Sequence, residues 1–418
     1  MKIRFPGIRD IFLLILFFAL NTSSHASDDI VLGVATSLRT LEGGESFRAV
    51  ELAVDEINAL GGVKVGDKKM RFRIEKIDLL EIYPGIPVEE SLKRIENIII
   101  KQKVNAVVVG PYKSEVMLPA MDMFSSHKVP LLAALGVLPA AEVKIMKDTK
   151  YKYIFRICIN SKYLVSCLIN MMKFLNERFG FNKVFVINQD RAWERTTTSL
   201  MFKLFFDKAG WEVLGMEFYP TGATDFRAAL TKARKKGAQI ILPIFDMPTS
   251  SNLVRQWKDL KVPALLCGFI SPMIGPSAWK KSEGKVAGVM NLIFELGNVP
   301  SDKYKPADAF YRAYMEKFGR GIEAGHGPSP SYESVYIFAD AIEKAGSLDP
   351  DRIVTCLEET DRVGAMGRIK FHKGHQTLFG EDPEAEALAC VIQWTKEGKR
   401  KIIYPLSIAE GDIELPSF

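Results

Sequence analysis

Histidine and cysteine are scarce, with five of each in 418 residues. The cysteines are Cys158, Cys167, Cys267, Cys356 and Cys390, and their spacings lack the close pairs a zinc site uses. They read as small buried apolar residues. Their odd number leaves at least one unpaired, and an oxidising compartment would allow one disulfide whose partners the sequence does not name. In His372-Lys373-Gly374-His375 two imidazoles lie close together, but no neighbouring carboxylate or thiol completes a metal site. That segment reads as a solvated turn.

Catalytic motifs are also missing. The chain has no phosphate-cradling P-loop, no G-x-S-x-G elbow, no H-E-x-x-H, and no G-x-G-x-x-G after a strand. With no nucleophile–base set, the expectation is a binding protein and not an enzyme, needing neither cofactor nor metal. Beyond residue 26 no apolar run reaches the roughly 20 residues of a membrane-spanning helix. Lysine and arginine exceed aspartate and glutamate by only 56 to 50. The basic residues are scattered, without the basic stripe and interleaved aromatics of a nucleic-acid binder.

At the N-terminus, Lys2, Arg4 and Arg9 precede an apolar run from Ile11 to Leu20, and a polar stretch ends in Ser24-His25-Ala26. A basic start, a short apolar core and small residues flanking His25 describe a secretory signal peptide, residues 1–26. No cysteine near the cut could carry a lipid. Losing three basic residues and Asp10 lowers the formal charge from +6 to +4. The expected product is a soluble exported monomer.

Short β-rich runs then alternate with amphipathic helices. IVLGVAT (30–36) reads as a strand. A helix follows from about Glu45 to Leu60, with Phe47, Val50, Val54 and Ile57 on one face and Gly61-Gly62 as its stop. Strands are expected at 71–78, 105–110 and 129–134, with a helix beginning near Ser114. The pattern restarts with a helix at 161–179. Strands at 183–188, 212–219, 238–245 and 263–268 then alternate with helices at 193–209, 225–236 and 250–260. Helices near 303–318, 331–345 and 350–359 precede strand-like 367–371 and 387–395. Two such series predict an α/β fold of two doubly wound, mostly parallel lobes. No low-complexity linker separates them, so the hinge should consist of several strands.

Open α/β sheets bind ligands beyond the carboxyl ends of their strands. Here those ends are residues 37–44, 111–114, 135–139, 189–193, 245–249 and 269–272, and two facing sets make a cleft. Gly43-Gly44-Glu45-Ser46 reads either as an anion cradle or as a tight turn with an N-cap. Ser114 is a candidate N-cap or a ligand-facing hydroxyl, and Lys113 a ligand cation or a surface lysine. Trp193 and Phe245 either stack on a ligand or pack in the core. Asp246 either accepts hydrogen bonds from a ligand or caps the helix near Thr249. The stretch PLLAALGVLPA (130–140) carries no side-chain hydroxyl, amide or charge, although it is placed at the cleft mouth.

AVELAVDEINALGGV (49–63), VVVGPYKSEVMLPA (107–120), YIFRICINS (153–161) and YPTGATDF (219–226) resemble the type I periplasmic binding proteins of the leucine/isoleucine/valine-binding family. The resemblance runs from about residue 29 to 395. It implies a receptor that closes two lobes on a small solute and delivers it to the permease and ATPase subunits of an ABC importer. One lobe would hold 28–156 plus 295–366, the other 157–294 plus 367–418. A ligand sensor docking on a signalling partner is the alternative.

Carried onto this chain, the family's carboxylate-binding serine is Ser114. The segment that supplies a backbone group and a threonine falls on Leu135, Gly136 and Val137, without the hydroxyl. The two aromatic positions of the second lobe are Trp193 and Phe245, and the acid that meets a ligand ammonium is Ile270. A buried ammonium without a counter-charge costs on the order of several kcal/mol. The expected ligand is therefore an apolar or aromatic carboxylate packed by Trp193 and Phe245. Ser114, backbone N–H groups and Lys113 or Arg39 would hold its charged end. The other reading is a true amino-acid binder with a shifted site, using Asp246 as the acid.

Overall fold

The computed structural model describes residues 29–83 and 85–417, so the expected signal peptide lies outside the described residues. The strand Ile30–Thr36 is buried at every position except Val31, as suits a central parallel strand covered on both faces. It pairs with Phe72–Asp78 on one side and Ala106–Val107 on the other. Leu131–Ala133 and Ile154–Arg156 complete a five-stranded, wholly parallel sheet.

The second sheet has seven strands, in the order Arg400–Tyr404, Cys390–Trp394, Met290–Ile293, Leu265–Ile270, Ile240–Phe245, Lys183–Gln189 and Glu212–Tyr219. It is parallel from Met290–Ile293 onward, and the two late strands join antiparallel. Two doubly wound lobes result. Helices Lys305–Phe318 and Pro328–Ala345 return to the first lobe and pack on helix Leu41–Ala59.

Several elements depart from the expectation. The first helix starts at Leu41 because the Thr40 hydroxyl caps it, accepting from the Gly43 N–H at 2.9 Å. Gly43 to Ser46 are therefore inside a capped helix. The expected 193–209 helix is α-helical only over Ala192–Met201; Phe202–Phe206 widens into a π turn, where Phe205 and Phe206 pack on each other and on Trp211. The run 387–395 is two strands belonging to two sheets. Ala387–Leu388 joins a small four-stranded sheet and Cys390–Trp394 joins the second lobe. The boundary expected at 366/367 falls inside the hairpin of Asp361–Gly364 with Gly367–Lys370, whose hydrogen bonds make those strands one unit.

The His372–His375 turn is only partly solvated, with Lys373 exposed. His375 is buried and stacks on Phe155 with centroids 4.3 Å apart, and His372 lies 3.5 Å from Glu142. All five cysteines are free. Among the described residues no helix is long and apolar enough to cross a membrane.

Three short irregular segments join the lobes, at residues 157–160, at Glu295 after Met290–Ile293, and at Ala389 before Cys390–Trp394. Glu295 ties the first two together while wholly buried. Its carboxylate accepts from the Ile159 N–H at 3.2 Å, the Gly327 N–H at 3.2 Å and the Asn298 amide at 3.2 Å. The Leu296 N–H donates to the Leu388 carbonyl at 2.8 Å. His326 lies between Glu295, 3.0 Å from Nδ1, and the Leu135 carbonyl, 2.8 Å from Nε2. Both ring nitrogens face acceptors, so the ring carries two protons. Burial works against that charge, but Glu295 and the Leu135 carbonyl outweigh it and raise the His326 pKa.

Two outcomes follow for the hinge. Glu295→Ala should cost roughly 3–5 kcal/mol in urea melts, because it leaves a buried cation unpaired. The folded state holds the His326 proton more tightly than the unfolded chain does. Its contribution is therefore complete below the ordinary value of 6.5 and is lost as pH rises through the raised one. The stability gap between wild type and His326→Gln should shrink as pH is raised from about 6 to about 9.

Candidate ligand-binding site

The carboxyl ends of both sheets face each other across a cavity of about 370 Å³. From the first lobe come Glu42, the Tyr112–Glu115 turn, Leu118, and a wall of Leu135, Val137, Leu138 and Pro139. From the second come Ser161, Arg191, Ala192, Trp193, Thr196, Asp246 and Phe269. Phe294 and His326, from the hinge side, complete it.

Six of the residues singled out from sequence meet here: Lys113, Ser114, Leu135, Val137, Trp193 and Asp246. Four do not line the cavity. Phe245 is wholly buried against Phe226, with centroids 5.5 Å apart. Ile270 is wholly buried, and its N–H donates to Asn291 at 3.0 Å. In both cases the neighbour faces the cavity, Asp246 in place of Phe245 and Phe269 in place of Ile270, because side chains alternate along a strand. Gly136 lies behind the wall. Arg39 points into solvent with a side chain 74% exposed, its Nε 3.4 Å from Asp78.

Glu42, Tyr112, Arg191, Phe269, Phe294 and His326 were not anticipated. Tyr112, Arg191 and Phe269 fall within strand-end segments already marked, each one or two positions from a chosen residue. Glu42 also lies in such a segment, but in a stretch that reads as a turn. Phe294 and His326 carry no local signal, because they reach the cavity through the hinge crossing.

The turn that presents Ser114 is braced from behind. Glu81, 3% exposed, accepts from the N–H groups of Tyr112 at 2.7 Å and Lys113 at 2.9 Å. Burial pushes the Glu81 carboxyl up to about 7 even though these hydrogen bonds oppose it. Ser114 is the first residue of helix Ser114–Ser126, with Lys113 at the cap.

The apolar wall is built in the same manner. The Leu135 carbonyl accepts from His326 at 2.8 Å and the Val137 carbonyl from the Ser161 N–H at 3.0 Å. The Gly136 carbonyl accepts from the Cys158 thiol at 3.6 Å, and the Leu138 carbonyl from the buried Arg156 guanidinium. Four successive carbonyls thus bond to hinge-side groups, while Leu135, Val137 and Leu138 line the cavity. Buried backbone carbonyls need partners, and here the hinge supplies them.

This architecture has close counterparts. The sequence matches the family described as periplasmic binding protein over residues 31–382. The chain belongs to that family. A curated relative, the Leu/Ile/Val-binding protein homolog 7 of Brucella suis, is 23% identical over 94% of this chain and 96% of its own length. Among solved structures, a branched-chain amino acid transporter substrate-binding protein of Streptococcus pneumoniae, in complex with isoleucine, superposes with a TM-score of 0.71. It is 21% identical and covers 90% of this chain and 100% of its own. A solute-binding protein of an ABC transporter from R. palustris, in complex with benzoate, superposes with a TM-score of 0.69. It is 13% identical and covers 93% of this chain and 98% of its own.

The charges in this periplasmic binding protein's cavity are largely committed. Asp246 meets Arg191, with Oδ2 2.6 Å from Nη1. Glu42 accepts from the Ser271 hydroxyl of the opposite lobe at 2.8 Å. Burial raises the Glu42 pKa against its own hydrogen bonds, with Asp246 adding to the rise. Beneath Trp193, Glu194 is wholly buried and neither of its carboxyl oxygens has a partner among the described residues. Burial pushes it up to about 8, Asp246 adding to the effect and Arg191 opposing it.

The folded binding protein therefore favours protonated Glu194, and this contribution to stability falls as pH rises from 4.5 to about 8. Glu194→Gln removes the titration. In thermal melts it should match wild type near pH 5 and exceed it by roughly 2–4 °C near pH 9.

Proposed function

We propose that this protein is the periplasmic receptor of an ABC importer, exported by its N-terminal signal peptide, and that it captures a small organic acid with an apolar or aromatic body. A solute in the cavity touches both lobes at once, so binding favours the closed state by contacts the open state lacks. The closed complex is then the form presented to the permease and ATPase subunits.

The observation that supports this ligand class is the state of the cavity's carboxylates. A ligand ammonium would need a free counter-charge. Asp246 is engaged by Arg191, and Glu42 is engaged by Ser271 and held toward its neutral form by burial. Ile270, at the position where the family resemblance puts an acid, is apolar and buried. The walls suit a flat apolar body. Trp193 meets Phe269 edge-on with centroids 6.1 Å apart, and Phe269 lies 4.6 Å from Phe294. Ser114 and the start of its helix offer hydrogen-bond donors to an anionic group. The neighbour in complex with benzoate supports this class, and the one in complex with isoleucine supports the amino-acid alternative.

A thermal-shift panel tests the reading. Aromatic and branched aliphatic carboxylates should raise the melting temperature, by about 2.7 kcal/mol of stabilisation at a hundredfold excess over Kd. Leucine and valine should do little. A strong shift with the amino acids and none with the acids would overturn the ligand class and point to Glu42 as an ammonium partner.

A further inference from the structure

The donors expected at a ligand's charged end, Ser114 and Lys113, all belong to the first lobe. The second lobe holds a candidate of its own. Arg191 is the residue before helix Ala192–Met201 and lines the cavity two positions before Trp193. Its side chain is 33% exposed and makes one hydrogen bond, from Nη1 to Asp246 at 2.6 Å. A guanidinium carries five N–H donors in a planar fork. Nε and Nη2 have no partner among the described residues.

Asp246 is well placed to hold this cation rather than to receive a ligand. Its side chain is 12% exposed, and the backbone N–H groups of Asp246 and Met247 donate to Gln189 at 3.2 and 3.1 Å. Arg191 is thus held at one corner of its fork, lines the cavity, and keeps its other N–H groups uncommitted among the described residues. Of the other two cationic residues lining the cavity, His326 is committed to Glu295 and Leu135, and Lys113 stands in the first lobe. A planar acid resting on Trp193 and Phe269 would present its carboxylate to the free edge of this fork.

We propose that Arg191, oriented by Asp246, is the anion-binding residue of the second lobe, and that the solute's carboxylate lies against it with the ring on Trp193 and Phe269. The inference rests on the reading of the cavity as an organic-acid site and adds the orientation of the acid. Closure then carries an ionic contact contributed by the second lobe, and acids are selected over their neutral amides by that contact.

Calorimetric titration of the full mature chain with benzoate and with benzamide tests it, using wild type, Arg191→Gln, Arg191→Lys and Asp246→Asn, each checked by its melting curve. Wild type should prefer benzoate. Arg191→Gln should weaken benzoate at least about tenfold, leave benzamide nearly unchanged and so erase the preference. Arg191→Lys should keep part of it, since the charge remains but the fork is lost. Asp246→Asn should alter the preference less than Arg191→Gln. A wild-type preference that survives in Arg191→Gln overturns the role of Arg191 alone and places the carboxylate at the Ser114 turn. A wild type that binds neither benzoate nor any other acid of the panel overturns the organic-acid reading, and this proposal with it.

Discussion

A single buried carboxylate governs how the two lobes are joined. Glu295 sits where the chain crosses between sheets, and it gathers donors from the crossing at Ile159, from Gly327 and from His326. A charge buried this deeply is tolerable only when its hydrogen-bonding capacity is filled. The crossings must therefore stay in register with one another.

The same network reaches the ligand cavity. His326 bridges Glu295 and the Leu135 carbonyl, so a hinge residue and a wall residue share one imidazolium. Arg156 and Ser161 continue the pattern at Leu138 and Val137. The cavity wall is in effect the outer surface of the hinge. On the opposite side, Arg191 and Asp246 stand on loops of the second sheet, and Glu42 reaches Ser271 across the gap. Hinge and wall thus share hydrogen bonds, and the polar ends of the cavity are held by separate pairs.

Much of the fold was legible in the sequence. The strand–helix alternation gave both lobes, and helix Ser161–Phe179 has the expected limits, because its apolar period is long and its ends carry Asn160 and Gly180. What escaped was short or split by topology. Met290–Ile293 has four residues, too few to show a period, and 387–395 reads as one strand although its two halves serve different sheets. At the cavity, the strand-end rule marked loops that line it but not always the residue that faces it. Phe245 and Ile270 each sit one position from a lining residue, and in a strand one position decides between core and cavity. His326 and Phe294 could not be found that way. They come from the return crossing, and their place depends on three-dimensional closure of the hinge.

The stretch PLLAALGVLPA divides its work between two kinds of atom. From Leu135 to Leu138 its carbonyl oxygens bond to hinge-side groups, while the side chains of Leu135, Val137 and Leu138 line the cavity. Substituting Val137 or Leu138 by another apolar residue changes the shape of the pocket without touching a hinge hydrogen bond. Such a segment is a fixed frame with an exchangeable facing, so the cavity can be reshaped from the wall without disturbing the hinge hydrogen bonds.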